Sequence, residues 1–425
     1  MTLEVTSREF NAPDEWQLFN HLPAQPLVFS RDGEGIVGFG EALRLTARGE
    51  DRINSLARQW RSLGANAVID DAVQTSGSGL VAFGSFAFAD ESEFESVLVI
   101  PEILVGRRDG RAWFTRILHL GAEANDVGHN QVGAKESAEP ELPNFAREPQ
   151  SYPTAAKLNF EAGQMDADGF MTAVADAVAH IRKHDIDKVV LARDIAAELP
   201  EDFDLRATLK RLSTRFSSCW TYSVDGTFGA SPELLVRVAN GQVSARVLAG
   251  TAGRGTDPSI DIAISQALSA SAKNRSEHAY AVDSLVRSLT PYCTAIETDA
   301  EPFSLALPNL WHLASDVQGV LRESASSIDL AAALHPTAAV AGTPTNLAQA
   351  MIAELEPFDR GRYAGPVGWI GADGDGEWAI ALRGAQISGS TVMAYAGCGI
   401  VAESNPAAEL AETELKFAPI RNAFA

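Results

Sequence analysis

The residues best suited to carry out chemistry lie near the C-terminal end of the chain, on a segment with the features of a helix. Asn405 is a good N-cap and Pro406 is favoured at the first helical position, so a helix is predicted to begin here. Glu409, Glu412 and Lys416 follow at spacings of three and four residues, which place two carboxylates and an amine on one helical face. With a carboxylate from a second helix, these oxygens could hold a hard divalent cation. Spacing alone favours the simpler alternative, an ordinary surface ion pair between Glu412 and Lys416.

A second carboxylate-bearing segment covers residues 273–283, where Glu277 lies on a helix-like run. Two other patterns are interpreted as structural. Asp373 and Asp375 do not form a calcium loop, because the glycine that such a loop requires is missing and Asp-Gly predicts a hairpin turn. Residues 397–399 begin like a dinucleotide-binding fingerprint but open no helix, so they predict a close approach of backbone to another group.

Composition limits the classes of protein to which the chain can belong. It has 425 residues, 46% of them hydrophobic and 21% charged, which is typical of a globular protein. The net charge of -22 argues against nucleic-acid binding, which needs a basic surface. Without a signal-like start or a membrane-spanning run, a cytoplasmic location with no membrane partner is predicted. The three cysteines are few and widely spaced, so they are interpreted as small buried side chains.

These chemical groups must be positioned by strands and helices that the pattern of apolar residues predicts. Helices are predicted over 45–63, 169–184 and 261–289. Strands are predicted at 188–193, and an antiparallel meander runs from 367 to 401. Residues 121–157 have no apolar period and are interpreted as a linker.

Ten short motifs together closely resemble the chorismate-utilising enzymes, and within them the isochorismate synthases. The motifs occur in the family's order across roughly residues 160–420, and each is weak alone, whereas ten in order are specific. They are 188–193 (KVVLAR), 229–235 (GASPELL), 248–252 (LAGTA), 277–279 (EHA), 310–314 (LWHLA), 335–339 (HPTAA), 353–360 (AELEPFDR), 382–383 (LR), 396–401 (AGCGIV) and 412–416 (ETELK).

The resemblance implies a single large α+β unit, in which antiparallel sheets pack as a sandwich with helices around them. In this unit, residues 1–150 form an N-terminal β-rich part and 151–425 the chorismate-binding catalytic region. It also implies Mg²⁺ as cofactor, chorismate as the small-molecule substrate, and a monomer. The pathway that the product serves stays open between menaquinone and a siderophore.

The same resemblance implies roles for individual residues. Glu277 and Glu412 would hold the metal, with Glu409 helping through water. Arg383 and Tyr363 would hold the enolpyruvyl carboxylate. Further residues are expected to contact substrate, namely Gly250, Thr251, His312, Ala339, Gly397, Gly399 and Lys416. From local sequence alone, His312 and His335 are more typical of core histidines.

The implied reaction needs a base and an acid on opposite sides of a ring. Water must be delivered to the ring carbon next to the carboxylated one, while hydroxide leaves from the far side of the diene. Lys188 is the predicted base, which requires burial or neighbouring cations that favour its neutral form. Glu233 is the predicted acid, whose pKa must be raised by desolvation or negative neighbours. Without the resemblance, both would be interpreted as a strand-end lysine and a surface turn residue.

Three positions distinguish between members of the family. Lys188 favours water as nucleophile, because the ammonia-using relatives lack that lysine. Ala249 stands where other relatives carry a nucleophilic lysine, and Ala339 where pyruvate-eliminating relatives tend to have threonine. Asn274 departs from the acidic residue that is common there and could weaken the outer hold on the metal. The alternatives are a salicylate synthase and a catalytically silent chorismate-binding protein.

Overall fold

The structure is a computed structural model that describes residues 2–13, 16–120, 151–153, 157–306 and 310–425. The side chains of Leu120, Lys273, Glu277 and Leu310 lie outside this description. The predicted linker over 121–157 falls mostly outside the described residues.

Two large sheets form the framework of the described chain. The first has thirteen strands and contains the strand that begins at Lys188. In spatial order it consists of β10 (Glu161–Ala162), β11 (Lys188–Glu198), β23 (Thr391–Ile400), β22 (Gly384–Ser388), β13 (Thr227–Ser231), β12 (Trp220–Val224), β2 (Leu27–Arg31), β3 (Glu34–Phe39), β8 (Ile103–Arg108), β9 (Arg111–Leu120), β1 (Thr2–Glu9) and β5 (Val68–Asp71), with β19 (Gly342–Thr343) also pairing with β11.

The second sheet has ten strands. In spatial order it consists of β16 (Cys293–Thr298), β18 (Leu310–Leu321), β15 (Gln242–Gly253), β14 (Leu234–Ala239), β21 (Gly376–Ile380), β20 (Pro366–Gly371), β6 (Val81–Ser85), β7 (Ser96–Ile100) and β4 (Leu43–Ala47), with β17 (Phe303–Ala306) pairing with β18. Among the described strands, pairing is antiparallel except between β1 and β5. Side chains from both sheets, such as Phe29, Phe83, Trp113, Tyr222 and Trp369, share one buried core.

Eight α-helices in the described residues pack around the sheets. They are α1 (Arg52–Ala65), α2 (Ala167–Arg182), α3 (Leu205–Arg215), α4 (Pro258–Ala270), α5 (Ala272–Leu289), α6 (Ser327–Leu334), α7 (Thr345–Leu355) and α8 (Pro406–Ala423). The helix α2 illustrates the local rules, because the Asp166 side chain caps it at Gly169 N and its apolar residues at helical spacing are buried. The predicted α+β fold of antiparallel sheets with surrounding helices is confirmed.

The sheets join early and late parts of the chain. The strand β2 pairs with β12, and β6 pairs with β20. Both sheets therefore contain strands from before and after residue 150. The division into an N-terminal part and a catalytic region stays a prediction about function.

Two helix predictions need correction at their boundaries. The helix predicted over 45–63 begins at Arg52, because residues Leu43–Ala47 pair with β7 as a strand and Gly49 adopts a positive φ of 82°. The helix predicted over 261–289 is two helices, because extended Ser271 ends α4 and caps α5 through Asn274 N. The meander is confirmed, with residues 372–375 forming the predicted turn between β20 and β21.

None of the described helices is both long enough and apolar enough to cross a membrane.

Candidate active site

Lys188 lies at the start of β11, where the strand pairs with β23 on one side and with Thr343 of β19 on the other. Its side chain passes over Gly399 of β23. A Cβ added to Gly399 would lie 2.7 Å from Cε of Lys188, too close for an unshifted contact. At Gly399 the predicted close approach of backbone is thus made to the end of the lysine side chain, which would have to move to admit a Cβ.

Glu233 lies in the short connection between β13 and β14, which hydrogen bonds fix at both ends. The amide of Glu233 donates to Ser231 Oγ at 3.2 Å, and its carbonyl accepts from Ile380 N at 3.1 Å. Burial raises the pKa of the Glu233 carboxyl, although the cations Arg383, Lys188 and Lys416 act in the opposite direction. Burial prevails, so the protonated acid is favoured more strongly than in water.

Lys188, Glu233 and Ala339 line one cavity of about 280 Å³. Its other walls come from β15, α5 and the segment between α6 and α7. The cavity wall that α5 contributes is not predicted from the sequence. Tyr280, Ser284 and Ser288 line the cavity at spacings of four residues, and that helical period is the signal that could have identified them.

The strands β15 and β18 place Thr251 opposite His312 beside a bulge. Gly250 has a φ of 83° at this irregularity, a conformation that glycine adopts without strain. Thr251 Oγ1 lies 2.9 Å from His312 Nδ1. Burial, reinforced by Arg383 and Lys416, lowers the pKa of His312 to about 4, so the imidazole is neutral near pH 7. The ring of His312 is partly buried, and the charges of Arg383, Lys416 and Glu412 also act on it.

Arg383 is electrostatically coupled to several of the predicted site residues. It follows β21, is half-buried, and has a φ of 51°. Its charge acts on Glu233, His312 and Lys416. Tyr363 also lies within its influence, but it is buried, stacks on Tyr395 at 5.2 Å, and is absent from the walls of the 280 Å³ cavity. Burial raises the pKa of Tyr363 to about 12.

The helix α8 begins where the sequence predicts, since the Asn405 side chain accepts hydrogen bonds from Ala407 N and Ala408 N. It is tied to β11 by buried Arg193, whose Nε donates to Thr413 Oγ1 at 2.9 Å. Arg193 and Thr413 fall within motifs of the sequence analysis, which gave them no role. A charged residue in the middle of an apolar strand is the signal that could have indicated such a contact.

Lys416 connects α8 with β23. Its Nζ donates to Gly397 O at 2.7 Å and lies 2.6 Å from Glu412 Oε1. Burial lowers the pKa of Lys416, with Arg383 adding to this effect and Glu412 opposing it. The ion pair that spacing alone predicted is present, but it is built into the contact with β23 and is not a free surface pair.

Glu409 and Glu412 lie three residues apart on α8, and both side chains are partly exposed. Hard oxygens of this type, completed by water, are suitable ligands for Mg²⁺. Glu277 lies on α5, and its side chain is outside the described residues. Its neighbours anchor that helix near the site, since His278 Nδ1 donates to Ala249 O at 3.1 Å. Among the described side chains, no group of three or more metal-binding residues is found. The carboxylate chemistry nonetheless fits the predicted cation.

The predictions that His335 is a core histidine and that the cysteines are small buried side chains are confirmed. His335 is partly buried, its Nε2 donates to Phe88 O at 2.9 Å, and burial lowers its pKa to about 4. The three cysteines, Cys219, Cys293 and Cys398, are buried and unbridged.

The site thus combines an amine and a carboxyl on one cavity with a group of cations. Lys188, Arg383 and Lys416 all act on Glu233, although the whole chain carries a net charge of -22. Such a group can attract and orient an anionic ligand. A carboxyl with a raised pKa facing an amine is an arrangement suited to acid and base catalysis.

Comparison with known proteins identifies the family to which the chain is similar. The family described as "Chorismate binding enzyme" matches residues 3–425. Isochorismate synthase MenF of Bacillus subtilis is 32% identical over 443 residues, covering 98% of this chain and 92% of that protein. The salicylate biosynthesis isochorismate synthase of Pseudomonas aeruginosa is 33% identical, with coverage of 99% and 90%. The menaquinone-specific isochorismate synthase MenF of Escherichia coli has a similar structure, with a TM-score of 0.78, 25% identity, and coverage of 100% and 95%.

Proposed function

This chain belongs to the chorismate binding enzymes, and on that basis we propose that it converts chorismate to isochorismate. The single observation that carries the proposal is the shared cavity of Lys188 and Glu233, in which burial raises the pKa of the carboxyl. The names of the relatives from Bacillus subtilis and Pseudomonas aeruginosa support the same activity.

Substrate binding would use the cationic side of the site. Chorismate carries two carboxylates, and Arg383 with Lys416 provides positive charge beside the cavity. Gly250, Gly397 and Gly399 would let backbone approach the ring. Neutral His312 and Thr251 would contribute polar contacts without adding charge.

The chemical step would use Lys188 and Glu233 in complementary roles. Lys188, in its neutral form, would take a proton from the water that attacks the ring carbon next to the carboxylated one. Glu233, in its protonated form, would donate a proton to the hydroxyl that leaves. The new C–O bond and the lost C–O bond balance, so isomerisation consumes no net water. The raised pKa of Glu233 is the property that an acid in this role needs.

Glu412 and Glu277 would hold Mg²⁺, with Glu409 acting through water. When bound, the cation would neutralise the ring carboxylate and polarise it toward the charge that develops during the reaction. Lys416 pairs with Glu412 at 2.6 Å and would help to orient this carboxylate.

Two small side chains support retention of the enolpyruvyl group. Ala249 and Ala339 line the cavity and carry no nucleophile or hydroxyl. By the resemblance, relatives that add a covalent step carry lysine at the position of Ala249, and relatives that eliminate pyruvate tend to have threonine at that of Ala339. We therefore propose isochorismate as the released product.

The test is to incubate the purified protein with chorismate and Mg²⁺, with and without a chelator, and to separate the products. Isochorismate that forms only with free Mg²⁺ is the expected result. Salicylate with pyruvate as the main products would instead identify a salicylate synthase. Anthranilate formed with ammonia would contradict the role of Lys188, and binding of chorismate without turnover would identify a silent family member.

A further inference from the structure

Glu356 and Arg360 form an ion pair in the interior, directly after α7. Arg360 Nη2 lies 2.6 Å from Glu356 Oε1, and the two side chains are 2% and 1% exposed, respectively. Both belong to residues 353–360, a motif to which the sequence analysis gave no role. Removing two charges from water is costly, so stability alone is a weak reason for such a pair.

The two side chains bond to the backbone of β11 and to one further segment. The amide of Ala192 donates to Glu356 Oε1 at 2.8 Å. Arg360 Nη2 donates to Val190 O at 2.7 Å, and Arg360 Nη1 donates to Val340 O at 2.9 Å. One planar guanidinium therefore joins β11 to the segment that follows α6, which its fixed fork of donors allows.

These bonds fill a gap along one edge of β11. On this edge, β19 pairs with residues Lys188 and Val189, and β10 pairs with Ile195 and Ala196. Between them, no strand of the described chain pairs with the Ala192 amide and the Val190 carbonyl, and the ion pair takes their hydrogen bonds instead. Without it, these two backbone groups would be buried and unsatisfied.

The joined segments lie side by side, since Val190 N also donates to Ala341 O at 2.8 Å, and both contribute to the wall of the proposed active-site cavity. Lys188 precedes Val190 by two residues on β11, and Ala339 directly precedes Val340. Both Lys188 and Ala339 line the cavity of about 280 Å³. The guanidinium of Arg360 thus fastens the strand that carries the amine to the neighbouring segment that carries Ala339.

We propose that Glu356 and Arg360 are positioning residues that hold Lys188 at its working distance from the substrate ring. This inference rests on the proposed function and names a determinant of its rate. Neither side chain touches the cavity, so both act through the backbone. A shift of about 1 Å in a reacting group can cost about 100-fold in rate, which gives this coupling its importance.

Arg360→Lys is the informative variant, because lysine retains the buried charge but cannot reach Glu356, Val190 and Val340 together. We expect kcat per folded molecule to fall by about tenfold or more, while KM stays within about threefold. Hydrogen exchange should accelerate in residues 188–193. Glu356→Gln, which keeps an acceptor for Ala192, is the second variant and replaces Arg360→Lys if that protein does not fold. It should show the same pattern in kcat, KM and hydrogen exchange.

Arg362→Lys is the matched control. Arg362 is buried in the same loop, pairs with Asp225 at 2.7 Å and donates to Glu95 O at 2.9 Å, and none of its bonds reaches β11. It should lose stability without the selective fall in kcat or the faster exchange at 188–193.

A folded Arg360→Lys protein with kcat within twofold of wild type would overturn the proposal, as would an equal loss in Arg362→Lys. Unchanged exchange at 188–193 would overturn it as well, whether or not the protein acts on chorismate. Lack of wild-type turnover would contradict the proposed function separately, since the exchange measurement needs no activity.

Discussion

At the scale of single residues, the proposed chemistry depends on an amine and a carboxyl that differ in how protein surrounds them. Lys188 is partly buried at a strand end, whereas Glu233 lies in a tight connection and has a raised pKa. The acid role proposed for Glu233 depends on this environment, because burial favours its protonated form.

Replacing either group should stop turnover without abolishing substrate binding. Lys188→Ala removes the base, and Glu233→Gln keeps the shape of the side chain but removes the ionisable proton. We expect kcat to fall by at least about 100-fold in each, the lower range for loss of acid or base catalysis. Steady-state kinetics and calorimetric binding of chorismate measure the two effects.

Lys183→Ala and Glu201→Gln are controls on exposed residues and should behave as wild type. Near-normal turnover in Lys188→Ala or Glu233→Gln would refute the corresponding role.

Gly399→Ala should displace the amine without unfolding the strand. Gly399 has no positive φ, so alanine suits its backbone, but the new Cβ would lie 2.7 Å from Cε of Lys188. We expect kcat to fall while the free energy of unfolding changes by less than about 1 kcal/mol. Gly253→Ala in β15 is the control, because a Cβ there meets no atom within 4 Å. Equal kinetics in the two variants would argue against contact between Gly399 and Lys188.

At the scale of elements, α8 must present its carboxylates from a well-formed first turn. Asn405→Ala removes the cap from Ala407 N and Ala408 N, 3.1 and 3.2 Å from Asn405 Oδ1. It should lower the free energy of unfolding by about 1 kcal/mol and raise the Mg²⁺ concentration needed for half-maximal activity. Chemical denaturation and Mg²⁺ titration measure these effects.

Asp257→Ala removes a comparable cap from α4, where Asp257 Oδ1 accepts from Ser259 N and Ile260 N. It should cost similar stability and leave the Mg²⁺ requirement unchanged. An identical shift of the Mg²⁺ requirement in both variants would contradict the role of α8 in metal binding.

The elements also show what local sequence can predict. The strand at Lys188, the helix cap at Asn405 and the turn at residues 372–375 follow from side-chain preferences within a few positions. The pairing of β2 with β12 joins segments about 190 residues apart, and no local period encodes it. The role suggested for Arg360 escaped sequence analysis for the same reason, because its partners Val190 and Val340 are distant and use backbone atoms.

At the scale of the whole molecule, buried histidines make stability depend on pH. Burial lowers the pKa of both His312 and His335 to about 4, below the usual value near 6.5. The unfolded chain therefore binds more protons between these values, and stability falls as pH drops through this window. The contribution of Glu233 to the pH dependence of stability has the opposite sign, because its raised pKa favours the folded state at low pH.

His335→Gln should flatten the fall in stability between pH 6.5 and 4, since glutamine can still donate to Phe88 O and does not titrate. Urea denaturation at several pH values measures this slope. His184→Asn is the control, because His184 is exposed and asparagine tolerates its φ of 63°. A wild-type slope in His335→Gln would show that His335 does not contribute to the pH dependence of stability.

The interleaving of early and late strands has a consequence for how the chain folds as it is made. When β2 leaves the ribosome, its partner β12 has not yet been synthesised, and β6 must wait longer for β20. The strand next to Lys188, β23, is the last of the described strands to be synthesised. Assembly of both sheets is therefore delayed until nearly the whole chain has emerged, and nascent strand edges stay open to chaperones or to aggregation until then.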